Sequence, residues 1–232
     1  MTERSRGAYL EALGIEQWVR RSPADSLRAA TPALVTRVDA TSTVPAQDWD
    51  SLAQQVASCT RCELHQGRTQ TVFGVGNRAA DWLVIGEAPG AEEDKRGEPF
   101  VGRAGQLLNS MLAALGLARE QVYIANILKC RPPSNRDPKP EEVVCCEPYL
   151  QAQIALINPK IILAVGRIAA QNLLKVQTPI GKLRGQRHQL GPRATPLIVT
   201  YHPAYLLRSP TEKRRAWQDL LFAAQIYRET SA

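Results

Sequence analysis

Residues 161–165 read Ile161-Ile162-Leu163-Ala164-Val165, an unbroken apolar run that constrains the fold more than any other stretch of the chain. A strand of that composition, begun at Lys160, is buried on both faces. That arrangement belongs to parallel sheets with helices packed on either side. The neighbouring segments agree. Residues 82–85 and 122–128 read as two further strands and residues 197–200 as a fourth. Between them the apolar residues recur at helical spacing: residues 106–117 with Leu108, Met111, Leu112 and Leu115, then residues 140–157, and residues 167–174. Residues 211–227 close the chain as a helix with Trp217, Leu220, Leu221 and Ala224 as its stripe, and Asp48 caps a helix carrying Trp49, Leu52 and Val56. The expectation for residues 48–232 is a three-layer α/β/α domain with a central four-stranded parallel sheet. Its site lies at the carboxyl ends of the strands.

Ahead of this domain the character changes. Leu10, Leu13, Ile15 and Trp18 give a short amphipathic helix within residues 1–21, and residues 22–47 are rich in Ala, Thr, Ser and Pro with no sustained period. These segments read as a helical peptide on a flexible linker. So short a helix does not hold itself together in water and must dock on something. No apolar run approaches the length of a membrane span, and the charged first residues lead into no signal-peptide core. A cytoplasmic setting without a membrane is the default expectation. Residues 1–50 hold six arginines and seven acids, whereas the remainder holds 23 basic residues against 15 acidic ones. A basic domain behind a near-neutral leader points to a polyanionic partner.

Each strand end carries chemistry. After the first comes Gly86-Glu87-Ala88-Pro89-Gly90, a stiff turn presenting one carboxylate. Gly102 and Gly105 flank Arg103 just before a helix whose amino end can receive a phosphate. Asn126 sits inside an apolar strand, and its carboxamide offers a donor and an acceptor side by side, the complement of one edge of uracil or a similar imide. Phe100 lies among Gly97, Pro99 and Gly102 rather than in an apolar run, as a stacking platform for a base would. His202, at the end of the fourth strand and held by Pro203, has the setting of a catalytic imidazole. Of five cysteines, Cys59 and Cys62 form a C-x-x-C pair, Cys130 follows the Asn126 strand, and Cys146 lies farther on; Cys145 is a spare that packs in its helix. Four thiolates in two pairs suit tetrahedral zinc or a cubane iron–sulfur cluster, and spacing alone does not choose.

Together these segments resemble the family 4 uracil-DNA glycosylases, the iron–sulfur branch of their superfamily. The resemblance is carried by Cys59-x-x-Cys62, Val72-Phe73-Gly74, Gly86 to Gly90, Glu98 to Gly105, Lys129-Cys130-Arg131-Pro132-Pro133, Cys146-x-Pro148-Tyr149-Leu150 and His202 to Arg208. It implies a 4Fe-4S cluster on Cys59, Cys62, Cys130 and Cys146 that braces loops near DNA. It also implies hydrolysis of the N-glycosidic bond of a uracil flipped out of DNA, with Glu87 and His202 catalytic. Gly86, Phe100, Asn126 and His202 would bind the base, and Arg103, Arg131 and Arg208 the DNA. Ala88 stands where other branches carry a water-activating carboxylate.

The leader, Tyr9-Leu10-x-x-Leu13-Gly14-Ile15-x-x-Trp18-x-x-Arg21, resembles the amino-terminal segment of the psi subunit of the bacterial replicase clamp loader. That resemblance implies a tether to clamp-loader subunits through Leu10, Leu13, Ile15 and Trp18. Its rival is a psi-like subunit whose glycosylase-derived domain is non-catalytic and binds DNA or a partner protein.

Overall fold

A computed structural model describes residues 48–231 of the chain. The expected leader helix and linker lie outside the described residues. The strands are β1 (Val75–Gly76), β2 (Trp82–Gly86), β3 (Tyr123–Asn126), β4 (Ile161–Val165), β5 (His188–Leu190) and β6 (Thr195–Thr200). The helices are α1 (Trp49–Ala57), α2 (Leu64–Gly67), α3 (Ala91–Arg96), α4 (Arg103–Ala114), α5 (Pro140–Ile157), α6 (Arg167–Leu174), α7 (Ile180–Leu183), α8 (Pro203–Arg208) and α9 (Lys213–Ser231).

One sheet runs in the order β1-β3-β2-β4-β6-β5. Its inner four strands are all parallel, as expected. The outer two, β1 and β5, pair antiparallel and widen the expected four-stranded sheet to six. Side chains alternate across the inner strands, so each strand feeds both faces. Leu83, Ile85, Ile162, Ala164, Leu197 and Val199 pack with residues of α1, α5 and α6. Trp82, Val84, Ile161, Leu163, Val165 and Ile198 pack with residues of α4, α8 and α9. The result is three layers with β4 buried throughout, which accounts for its unbroken apolar run.

Two helices show how the sequence sets the layers. Asp48 accepts the Ser51 N–H at 2.8 Å and starts α1, whose Leu52 and Val56 are fully buried. The expected stripe of α9 is only half correct. Leu220 is buried, but Trp217 and Leu221 are 38% and 47% exposed. The buried face instead carries the small Ala216 and Ala223 with Leu220 and Ile226, because small side chains let the helix close on the sheet. Among the described residues no helix is long and apolar enough to cross a membrane.

Candidate active site

The carboxyl ends of the parallel strands open into a cleft of about 440 Å³. Glu87, Phe100, Asn126, His202 and Arg208 all line it, with Glu93, Asn135, Asp137 and Tyr205. A neighbouring groove shares Glu87, Asp137, His202, Tyr205 and Arg208 and extends past Gly166 and Arg167.

The floor is set by strand register. Gly86 and Asn126 are direct partners on β2 and β3. A Cβ on Gly86 would lie 2.5 Å from Asn126 Oδ1 and 2.6 Å from Phe100 Cζ, so only glycine leaves room for both. Asn126 is 3% exposed, and its Oδ1 has no hydrogen-bond partner among the described residues. A buried acceptor left open costs about 1–3 kcal/mol, which a bound donor would recover.

Phe100 forms the wall. Its φ is +55°, a left-handed conformation that costs a non-glycine residue about 1 kcal/mol or more. Its surroundings impose it. The Glu93 carboxylate accepts the N–H groups of Val101 and Gly102 at 3.0 and 3.1 Å, and a Cβ on Gly105 would overlap the Phe100 carbonyl. The same Glu93 contacts place a carboxylate at the amino end of α4, where a phosphate was expected. The Phe100 ring stacks on His202 with centroids 5.6 Å apart and planes 29° apart.

His202 caps α8. Its Nδ1 accepts the Ala204 N–H at 3.1 Å, so a neutral ring carries its proton on Nε2. Burial, and then the Arg208 charge, push the imidazole down to about 4 against a smaller opposing effect of Glu93. His202 is therefore a neutral donor at physiological pH. Glu87 moves the other way. Burial, then the Asp137 charge, push its carboxyl up to about 7, with Arg167 opposing. Asp137 itself is held by Arg167 at 2.6 Å.

Asp137 escaped the sequence reading, although it lies in the proline-stiffened loop after Cys130. Its importance is tertiary: Arg136 pairs with buried Glu142 on α5, which fixes the loop so that Asp137 faces Glu87. Of the three expected DNA-binding arginines, only Arg208 lines the cleft. Arg103 is exposed on the first turn of α4. Arg131 bonds Asn135 at 2.8 Å and borders a separate pocket with Glu63 and Leu64.

On the α5 side of the sheet, Cys59, Cys62, Cys130 and Cys146 line one narrow cavity with Arg61, His65, Arg68, Lys129 and Tyr149. Arg68 donates to Cys130 Sγ at 3.1 Å and to the Cys59 carbonyl at 2.9 Å, and the Lys129 N–H reaches Cys146 Sγ at 3.3 Å. Burial pushes the Cys146 thiol up to about 12 and raises Cys62 and Cys130 as well; the neighbouring thiols add to each. A cation among the sulfurs would favour their deprotonation, as Arg68 does at Cys130 and Lys129 at Cys146. Among the described residues no group of three His, Cys, Asp or Glu is placed to hold a single ion. Cys145 departs from expectation, since it is half-buried and borders the same cavity.

The family model described as the Uracil DNA glycosylase superfamily matches residues 73–221. Relatives include the type-4 uracil-DNA glycosylase of Archaeoglobus fulgidus, 47% identical over 69% of this chain and 84% of the relative. That of Thermotoga maritima is 46% identical over 71% and 85%. That of Pyrobaculum aerophilum is 41% identical over 75% and 91%. The match spans both the cleft and the second cysteine pair, and the chain belongs to the uracil-DNA glycosylase superfamily, in its type-4 branch.

Proposed function

We propose that this protein hydrolyses the N-glycosidic bond of uracil in DNA. The observation that carries the proposal is the open, buried Oδ1 of Asn126 beside the Phe100–His202 stack. Uracil offers an N–H donor flanked by carbonyl acceptors. Cytosine presents the opposite pattern and would leave Asn126 unsatisfied, a difference worth a large factor in rate. A base can reach this cleft only after leaving the duplex. Tyr205, Leu207 and Arg208 on α8 stand exposed beside it, placed to fill the gap.

The residues then divide the work. Phe100 stacks on the flipped base and Asn126 reads its polar edge. Neutral His202 donates from Nε2 to the oxygen where negative charge develops as the bond to the sugar breaks, so the contact strengthens in the transition state. Glu87, with its carboxyl near 7, holds the attacking water and takes its proton as the water oxygen bonds to the sugar carbon. The bond's electron pair leaves with the uracil. Cys59, Cys62, Cys130 and Cys146 line one cavity and would hold the 4Fe-4S cluster that the type-4 resemblance implies. When bound, the cluster supplies a rigid brace between α1, the Cys130 loop and α5. The relatives lend no support to a non-catalytic clamp-loader subunit.

The test is release of free uracil from a uracil-containing oligonucleotide by purified protein. Release that depends on Asn126 supports the proposal. DNA binding without release overturns it.

A further inference from the structure

Lys129 is the largest fully buried side chain of the domain and takes no direct part in the chemistry above. Its Nζ donates to the backbone carbonyl of Asn126 at 3.0 Å and to Gln153 Oε1 at 2.6 Å. Neither partner is a carboxylate, and no ion pair involves Lys129 among the described residues. A buried ammonium whose hydrogen-bond partners are both neutral oxygens carries a desolvation cost, which a structural task would explain.

Its surroundings show what that is. The side chain folds back across Ile127 and Leu128 onto the carboxyl end of β3, closing the turn that leaves the strand at Asn126. The Lys129 main-chain N–H reaches Cys146 Sγ, and Cys130 follows directly in sequence. Gln153 stands seven residues after Cys146 on α5, two helical turns on, and its Nε2 donates to the Phe73 carbonyl at 2.9 Å. Lys129 thus joins three things: the cysteine cage, α5, and the strand end that sets the direction of the Asn126 side chain. Asn126 has no hydrogen bond of its own to its Oδ1, so its aim depends on its backbone.

We propose that Lys129 is a positioning residue for base recognition: its buried ammonium fastens the Asn126 backbone to Gln153 on α5 while its main-chain N–H meets Cys146, so that the carboxamide stays aimed at the uracil edge. The proposal rests on the uracil reading of the cleft. It assigns the cage a second consequence beyond bracing loops, because the cage and the base reader share one anchor.

The test is a double-mutant cycle on the iron-loaded full chain, read by inhibition with free uracil, by uracil release and by affinity for undamaged duplex. Lys129→Met keeps the length of the side chain and removes the ammonium. It should weaken free-uracil inhibition and uracil release about tenfold each, the scale of one lost charge-assisted hydrogen bond. Iron content and undamaged-duplex affinity should stay within about twofold of wild type. In an Asn126→Ala background the same change should add less than about twofold. Additive losses in that background, or wild-type uracil inhibition by Lys129→Met, overturn the proposal. If Lys129→Met does not fold, Gln153→Met decides, since it leaves the lysine but frees its ammonium on one side. It should weaken uracil inhibition about threefold, and only while Asn126 is present; no change overturns the proposal. Failure of the uracil reading is separate, because wild-type protein would then neither release uracil nor be inhibited by it.

Discussion

Phe100 and His202 stack on one another in the cleft with ring planes 29° apart, one held in a left-handed backbone conformation and the other capping a helix through its own Nδ1. Both rings are fixed before any base arrives. The Phe100 strain is borne by Glu93 and Gly105, and the His202 tautomer is set by the Ala204 N–H. Preorganisation of this kind favours the transition state because the donor need not reorient as charge develops. His202→Ala should therefore lower uracil release by about a hundredfold or more with undamaged-duplex binding retained, as measured by single-turnover release beside a binding titration. Asn126→Ala should do the same and should also relax discrimination against cytosine.

Gly86 offers a subtler probe. It does not need an unusual backbone angle; it needs the absence of a side chain, since a Cβ would press on both Asn126 Oδ1 and Phe100 Cζ. Gly86→Ala should displace both base contacts by a fraction of an ångström and cost about a hundredfold in uracil release. Thermal unfolding should shift by only a few degrees, because β2 keeps its pairing. A wild-type rate would show that the cleft has slack the packing does not suggest.

The pH profile follows from Glu87. Its carboxyl is pushed up to about 7, and the ionised form takes the proton from water, so the rate should rise as pH increases through about 7. His202, pushed down to about 4, stays neutral throughout that range and adds no limb of its own above pH 5. Glu87→Gln should remove the limb. Asp137→Asn should move it to lower pH, because a negative charge facing Glu87 is lost while Arg167 is freed to favour ionisation. A limb that stays in place in Asp137→Asn would detach Asp137 from the site.

Iron content tests the cage. Anaerobically purified protein should hold about four iron per chain, and Cys59→Ser should lose the iron and lower the unfolding temperature. Cys145→Ser should keep it. That second outcome carries more weight than the sequence suggested, because Cys145 borders the cavity rather than packing away from it. Stoichiometric zinc in protein made with ample iron would overturn the assignment.

The parts of this molecule legible in its sequence are those where local chemistry dictates the outcome. The β4 run could only be a doubly covered strand, and the bounds of α5 follow from Pro140 at its start and the left-handed Asn158 at its end. Asn126, Phe100 and His202 stood out because each is unusual for its local setting. The edge strands β1 and β5 span only two and three residues and exist through pairing with β3 and β6, which no local period records. In α9 the bulky Trp217 and Leu221 suggested a buried face, but closeness to the sheet selected alanines instead. Asp137 was not singled out, and Lys129 appeared only within a matching segment with no role of its own, for a similar reason. A lysine beside a cysteine and an aspartate in a loop acquire meaning only from what they face.

The leader leaves one prediction that the described residues sharpen. The domain's first packed element is α1, and its cap is Asp48, whose carboxylate takes the Ser51 N–H. Deleting residues 1–45 keeps that cap, so iron content, unfolding temperature and uracil release should match the full chain. Deleting residues 1–48 removes it and should cost about 1 kcal/mol, a fall of a few degrees in unfolding temperature for a domain of this size. The destabilisation should appear at the cage, because α1 delivers the chain to Cys59 and Arg68 binds the Ala57 and Cys59 carbonyls at its end. If residues 1–21 bind clamp-loader subunits, both deletions should abolish capture equally, whereas only the longer one should loosen iron. A pull-down with those subunits, run beside an iron-release assay, separates the two effects. Equal capture of the full and shortened chains would place any such binding on the domain rather than the leader.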